Sequence, residues 1–308
     1  MPPRPNISPE PETSRCPPGY GSPSASAARN PPSGTPSPRG IPSRQGQLPP
    51  LGTAEVHACQ SNRTSSKGYA MPTLGIIGSG NIGSAVARLA VAAGMNVVIA
   101  NSRGPETLSE LVADLGPLAQ AGTVEDAAKS GDAVVLSIPL NAVRNLPDGL
   151  LAGKIVLDTS NYYPSRDGHI AELDDSTVTT SELVQSRLPG AQYVKAFNNI
   201  LAHHIPLLAR PAGSADRSAL PIASDDDSAK AEAAALIDAL GYDVVDAGTV
   251  AESWRFEPDS AGYTRLYLAD ASTPDDQLMT SAPGTTPKEK VESALASATR
   301  VNVAERLF

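Results

Sequence analysis

The stretch that decides the fold reads Thr73-Leu74-Gly75-Ile76-Ile77-Gly78-Ser79-Gly80-Asn81-Ile82-Gly83, continued by Ser84-Ala85-Val86-Ala87-Arg88-Leu89-Ala90. Its opening is a short apolar run of the kind a buried parallel strand carries, and its end reads as a helix. The glycines at 78, 80 and 83 fit a dinucleotide-binding turn, where each has a physical task. One makes the tight exit from the strand, one lets backbone approach a pyrophosphate, and one lets helix pack closely on strand, with the helix N-terminus facing the phosphates. A glycine pattern alone is weak; here the preceding strand and the following helix are both present.

Working outward, a second strand over Met95–Ala100 ends at Asn101, eighteen residues beyond Gly83. An NAD-binding domain places an acid there against the ribose 2′-hydroxyl. This chain has Asn101-Ser102-Arg103-Gly104-Pro105, a hydroxyl beside a guanidinium and no carboxylate. That pair suits a 2′-phosphate held by charge-assisted hydrogen bonds, so the expected cofactor is NADP(H). The competing reading has Ser102 capping a helix that starts near Pro105 and Arg103 as a solvated charge.

Strand and helix signals then keep alternating. Thr123-Val124-Glu125-Asp126 reads as a helix start, and Ala133–Pro139, Lys154–Asp158 and Gln192–Phe197 as further strands. The expected architecture is α/β, a Rossmann-type doubly wound parallel sheet with a small C-terminal α/β part. Ligands bind open α/β sheets at the carboxyl ends of the strands. Ser137, Ile138 and Pro139, then Asn161, then Asn198 and Asn199 are therefore the expected lining of the nicotinamide and substrate pocket.

Composition divides the chain into an extension and a body. Residues 1–70 hold 15 of the 29 prolines, with 7 glycines and 11 serines, and no long apolar run. Such a segment cannot bury enough surface to offset its ordering entropy and reads as a disordered extension. A targeting peptide is disfavoured by the prolines, and a start of translation at Met71 is a third reading. Residues 71–212 are expected to form the NADP-binding domain and 213–308 a small substrate or dimer region. Seven basic and three acidic side chains precede Met71, leaving 17 basic and 30 acidic after it. A body this acidic is a poor nucleic-acid partner. Cys16 and Cys59 both lie before Met71, so the body has no thiol for a disulfide, zinc site or nucleophile. No run has the length of a membrane span, and a cytoplasmic location is expected.

The run from Leu74 to Ile82, Asn101-Ser102-Arg103, Ser137-Ile138-Pro139 and Val194-Lys195-Ala196-Phe197-Asn198-Asn199 together resemble the NADP oxidoreductase family that includes NADPH-dependent reductases of coenzyme F420, a 5-deazaflavin. The similarity extends over roughly Thr73 to Val250. It implies an N-terminal Rossmann domain with a smaller C-terminal part, a phosphate loop at Gly78, Ser79, Gly80, Asn81, Ile82 and Gly83, a 2′-phosphate pocket at Asn101 to Arg103, and a nicotinamide-side strand end at Ser137 to Pro139. It also implies hydride transfer to coenzyme F420 or a flavin as small-molecule acceptor, and a homodimer. The Val194–Asn198 stretch is similar as well to the oxidoreductase module of membrane ferric reductases. Pyrroline-5-carboxylate reductases share the N-terminal architecture but need a long helical dimerisation domain. Here Leu220–Ser224, a helix over Ser228–Leu240 and a strand at Asp243–Asp246 make one more strand–helix–strand unit instead.

Hydride transfer between two stacked flat rings is catalysed mostly by positioning, so no dedicated acid or base is required. A hydroxyacid dehydrogenase would need one, from His169, His203, His204 or Lys195; the adjacent histidines read better as surface residues. Asp225-Asp226-Asp227 precedes an Ala-rich helix and reads as a cap, not a metal site. Trp254, Tyr263 and Tyr267 read as packing, with flavin stacking as the alternative. Thr286-Pro287 to Ala298 reads as a capped, solvent-exposed helix. A non-catalytic sensor of NADP(H) and a reductase of another small molecule remain as other functional classes.

Overall fold

The structure is a computed structural model that describes residues 72–307; the extension lies outside the described residues. The described residues form eight strands: β1 (Thr73–Ile77), β2 (Asn96–Ala100), β3 (Ala119–Ala121), β4 (Ala133–Leu136), β5 (Ile155–Asp158), β6 (Gln192–Lys195), β7 (Ala219–Ile222) and β8 (Asp243–Asp246). The helices are α1 (Asn81–Ala92), α2 (Ser109–Leu115), α3 (Val124–Ser130), α4 (Leu140–Val143), α5 (Pro164–Asp167), α6 (Ala171–Asp174), α7 (Thr180–Ser186), α8 (Ile205–Leu208), α9 (Asp227–Ala239) and α10 (Lys288–Ser297). The first six strands form one parallel sheet in the order β3-β2-β1-β4-β5-β6. Strand order reverses between β1 and β4, the crevice where such sheets bind ligands.

The central strands are apolar at nearly every position because both their faces are covered. Leu74, Ile76, Val97, Ile99, Val135 and Leu157 point into one hydrophobic cluster with α1. Ile77, Val98, Val134, Leu136 and Val156 point into the other with Ala127 and Ala128 of α3. Each fully buried aliphatic chain of this kind contributes about 1.5–3 kcal/mol. Thr123 caps α3 in a full capping box with Asp126, as its sequence predicts.

After Ser218 the expected strand–helix–strand unit forms as β7-α9-β8, a two-stranded parallel sheet. It has no separate core. Ala219, Leu220, Ile222, Ala233 and Ile237 belong to the same cluster as Leu74 and Ile76. Backbone hydrogen bonds in both directions between Lys195 and Ala223 join β6 to the end of β7. Asp226 caps α9 by accepting from Ser228 N and Ala229 N, so the aspartate triplet does serve as a helix start.

Three local expectations are corrected. The segment after Gly104 is a 3₁₀ turn over Pro105–Leu108 with no side-chain cap, so Ser102 does not cap it. The last helix is neither capped by Thr286 nor free in solvent: Val291, Ala294 and Leu295 bury one face, and Thr286 Oγ1 donates to Leu266 O at 2.8 Å. His203 and His204 are not surface residues of separate orientation. His204 is fully buried, the two rings meet edge-on at 4.2 Å, and both Nε2 atoms reach the Ser281 carbonyl, at 3.2 and 2.9 Å. Burial lowers the His204 pKa from its ordinary 6.5.

Candidate functional site

The glycine turn is built as its residue types require. Gly78 has φ 114°, and a β-carbon there would lie 2.0 Å from the Ser137 carbonyl oxygen, which fixes β1 against the end of β4. A β-carbon at Gly83 would lie 1.9 Å from the Gly78 carbonyl oxygen, so helix and strand touch backbone to backbone. Gly80 is different: nothing lies within 4 Å of a β-carbon placed there. It is the N-cap of α1, with no side-chain cap and no acid in the first turn. The N–H groups of a helix N-terminus without a side-chain cap, behind open space, suit an anion. A bound pyrophosphate fits this turn, with Ser79, Gly80, Asn81 and Ile82 around it.

At the end of β2, Asn101 organises the neighbouring loop. Its Oδ1 accepts from Arg103 N at 2.9 Å, and its Nδ2 donates to Thr107 Oγ1 at 2.9 Å and to Ser79 Oγ at 3.3 Å. Thr107 Oγ1 donates to Gly104 O at 2.8 Å. Asn101 therefore ties the glycine turn to the Ser102–Arg103 loop, whose two side chains are exposed. Thr107 belongs to this site and escaped the sequence reading, although it sits one helical turn beyond the loop it closes.

Across the switch point, Ser137, Ile138 and Pro139 leave β4 as a loop before α4; Ser137 and Ile138 are half-buried and Pro139 is exposed. The end of β5 carries a polar cluster. Asn161 Nδ2 donates to Asn198 O at 2.8 Å and to Tyr263 Oη at 3.3 Å, while Asn198 Nδ2 donates to Asn161 Oδ1 at 3.1 Å. The phenols of Tyr163 and Tyr263 share a hydrogen bond of 2.7 Å. Burial raises the pKa of both, so both are protonated at neutral pH. The Arg166 guanidinium lies 5.1 Å from the centre of the Tyr163 ring.

Asn198 and Asn199 follow Phe197, whose φ of 58° is rare for a bulky residue. Both asparagines are buried. Asn198 Nδ2 donates to Phe256 O at 2.9 Å, and Asn199 Nδ2 to Gly262 O at 2.8 Å and Tyr267 Oη at 3.1 Å. They bind the 256–267 segment to the sheet. Tyr263 and Tyr267 do not act as a pair, because the chain between them is a 3₁₀ turn. Tyr267 lies in the core, donating to Ala219 O, while Tyr263 faces Asn161. Lys195 is wholly buried against Asp158 at 2.8 Å, so it offers no amine to a substrate.

Parallel strand order, an open glycine turn on a helix without a side-chain cap and a polar crevice beyond it define a Rossmann-type dinucleotide-binding domain. Comparison with known proteins agrees. Residues 73–162 match the family model described as NADP oxidoreductase coenzyme F420-dependent. A crystal structure of a hypothetical protein from Sinorhizobium meliloti is 34% identical, with a TM-score of 0.54, covering 61% of this chain and 91% of that one. The metalloreductase STEAP3 of Rattus norvegicus is 30% identical over 191 residues, 60% of this chain and 36% of that protein. The glyoxylate reductase of Thermococcus gammatolerans is 45% identical over 69 residues, 22% of this chain and 19% of that one. The chain thus spans about a third or less of the curated relatives it matches. It belongs to the NADP oxidoreductase, coenzyme F420-dependent family. Among the described residues no helix is long and apolar enough to cross a membrane.

Proposed function

We propose that the protein transfers hydride between NADP(H) and a deazaflavin such as coenzyme F420, or a flavin, bound at the carboxyl ends of β4, β5 and β6. The observation that carries this reading is the pairing of an open phosphate turn at Gly80 with a carboxylate-free β2 end, Asn101-Ser102-Arg103. In this reading the first-turn N–H groups of α1 hold the pyrophosphate, and Ser102 and Arg103 hold the 2′-phosphate. Ser137, Ile138 and Pro139 flank the nicotinamide. When bound, NADPH supplies the hydride. Asn161 presents its carboxamide to the acceptor, with Asn198 holding it and Asn199 fastening the 256–267 segment behind. The protonated phenols of Tyr163 and Tyr263 border the same crevice and offer hydrogen bonds without a charge. No residue is asked to act as acid or base, consistent with transfer by positioning.

The test is to mix the protein with NADPH and coenzyme F420, then with a flavin, and follow both chromophores. The reading expects nicotinamide and acceptor absorbance to fall together. Tight NADPH binding without change in any acceptor would overturn it in favour of a sensor of NADP(H).

A further inference from the structure

Among the described residues, the most heavily buried ion pair stands at the ends of β5 and β6, next to the proposed acceptor site. Asp158 and Lys195 face each other in register across the two strands, and both side chains are fully buried. The carboxylate is saturated. Oδ2 accepts from Lys195 Nζ at 2.8 Å and Tyr193 Oη at 2.7 Å; Oδ1 accepts from Ser160 Oγ at 2.6 Å and Ser160 N at 3.2 Å. Lys195 Nζ also donates to the Ser160 carbonyl. Burial, then the Asp158 charge, raises the Tyr193 pKa well above 10, which keeps the phenol a donor.

Two charges taken out of water cost several kcal/mol each, and apolar residues of similar volume often serve stability equally well. What apolar residues cannot do is grip a backbone. Here the N–H, hydroxyl and carbonyl of one residue, Ser160, are all held by the Asp158–Lys195 pair. Thr159 is held from the other side, its N–H and Oγ1 both donating to Leu136 O at 3.0 and 3.3 Å, directly before Ser137. The next residue is Asn161. The turn 159–161 is thereby locked to the ends of both β4 and β6.

We propose that Asp158, Lys195 and Tyr193 form a positioning group for hydride transfer, which holds the Ser160–Asn161 turn in one conformation against the reacting rings. The inference rests on the hydride-transfer reading above. Asp158→Asn combined with Lys195→Met tests it, because the pair is neutralised together and no lone charge is left buried. Asparagine can still accept from Ser160, whereas methionine leaves the Ser160 carbonyl without its donor.

In the full chain with NADPH bound, amide hydrogen exchange at residues 159–161 is expected to speed up about tenfold or more, with residues 73–92 unchanged. The Kd and KM for NADPH should stay within about threefold of wild type, while kcat with the deazaflavin falls about 10- to 100-fold, the scale of a small misplacement of reacting groups. Tyr193→Phe, which keeps the ion pair, should show the same pattern more weakly and serves if the double variant does not fold. Exchange at 159–161 that is unchanged, or that rises only together with residues 73–92, would overturn the proposal, as would an unchanged kcat. If the wild-type protein reduces neither deazaflavin nor flavin, the acceptor reading falls, and the exchange comparison still decides whether the group holds the turn.

Discussion

At the scale of single residues, the three glycines of the first turn separate folding from binding. Gly83→Ala drives a β-carbon into the Gly78 carbonyl and should destabilise the fold by about 1–3 kcal/mol or more. Gly80→Ala meets open space. It should alter stability by less than about 1 kcal/mol yet raise the Kd for NADPH at least about tenfold, by filling the room a pyrophosphate needs. Thermal melts beside NADPH titrations read both effects; a Gly80→Ala variant that binds normally would remove the phosphates from this turn. Arg103→Ala should weaken NADPH about 10- to 100-fold, the loss of hydrogen bonds to a charged group, and NADH far less. Equal loss for both nucleotides would show that the 2′-phosphate lies elsewhere. These residues were legible because their work is local: strand, turn and helix are contiguous in the chain. Thr107 was not, since its bonds to Asn101 and Gly104 exist only once the loop has closed. The Asp158–Lys195 pair was less legible still, because its partners lie 37 residues apart and only strand register brings them together.

At the scale of elements, the segments that declared themselves carried either an apolar run or a cap. Strand β1 shows the first, α3 and α9 the second. Strand β3, Ala119–Ala121, has neither and was not foreseen. The Val291, Ala294 and Leu295 stripe of α10 was a readable signal, spaced three and four apart, that its polar neighbours obscured. The α9 cap makes a pH prediction. The Ser228 hydroxyl, then the Ala229 N–H, lower the Asp226 pKa from its ordinary 3.8. A carboxylate whose folded pKa is depressed stabilises fully above its unfolded value and loses that contribution as pH falls through the folded one. The melting-temperature gap between wild type and Asp226→Ala should therefore be widest above pH 3.8 and narrow as the pH drops below it. A gap that ignores pH would mean the charged form of the cap contributes nothing.

At the scale of the whole molecule, sequence suggested a nucleotide-binding part over 71–212 and a smaller region over 213–308. In the fold the β7-α9-β8 unit shares its hydrophobic cluster with β1 and α1. Asn198 and Asn199 fasten residues 256–267 to the end of β6. A chain ending at Ala212 would expose Ile200, Ile205 and Leu208 along with one face of β5 and β6, and should show no cooperative unfolding transition. A fragment that melts sharply would prove the first part an independent domain. The shared core helps keep a site made of strand ends ordered, because the β7-α9-β8 unit packs into the same hydrophobic cluster as β1 and α1.

Direct hydride transfer from NADPH to a deazaflavin at this crevice, as proposed above, can be followed with an isotope. Its most direct test uses NADPH carrying deuterium at nicotinamide C4, in each of the two stereochemical forms, with coenzyme F420 as acceptor and mass analysis of the reduced deazaflavin. With direct transfer, one of the two forms delivers its deuterium to the deazaflavin carbon and the other does not. A reduced deazaflavin without label from either form, or no reduction at all, would contradict it.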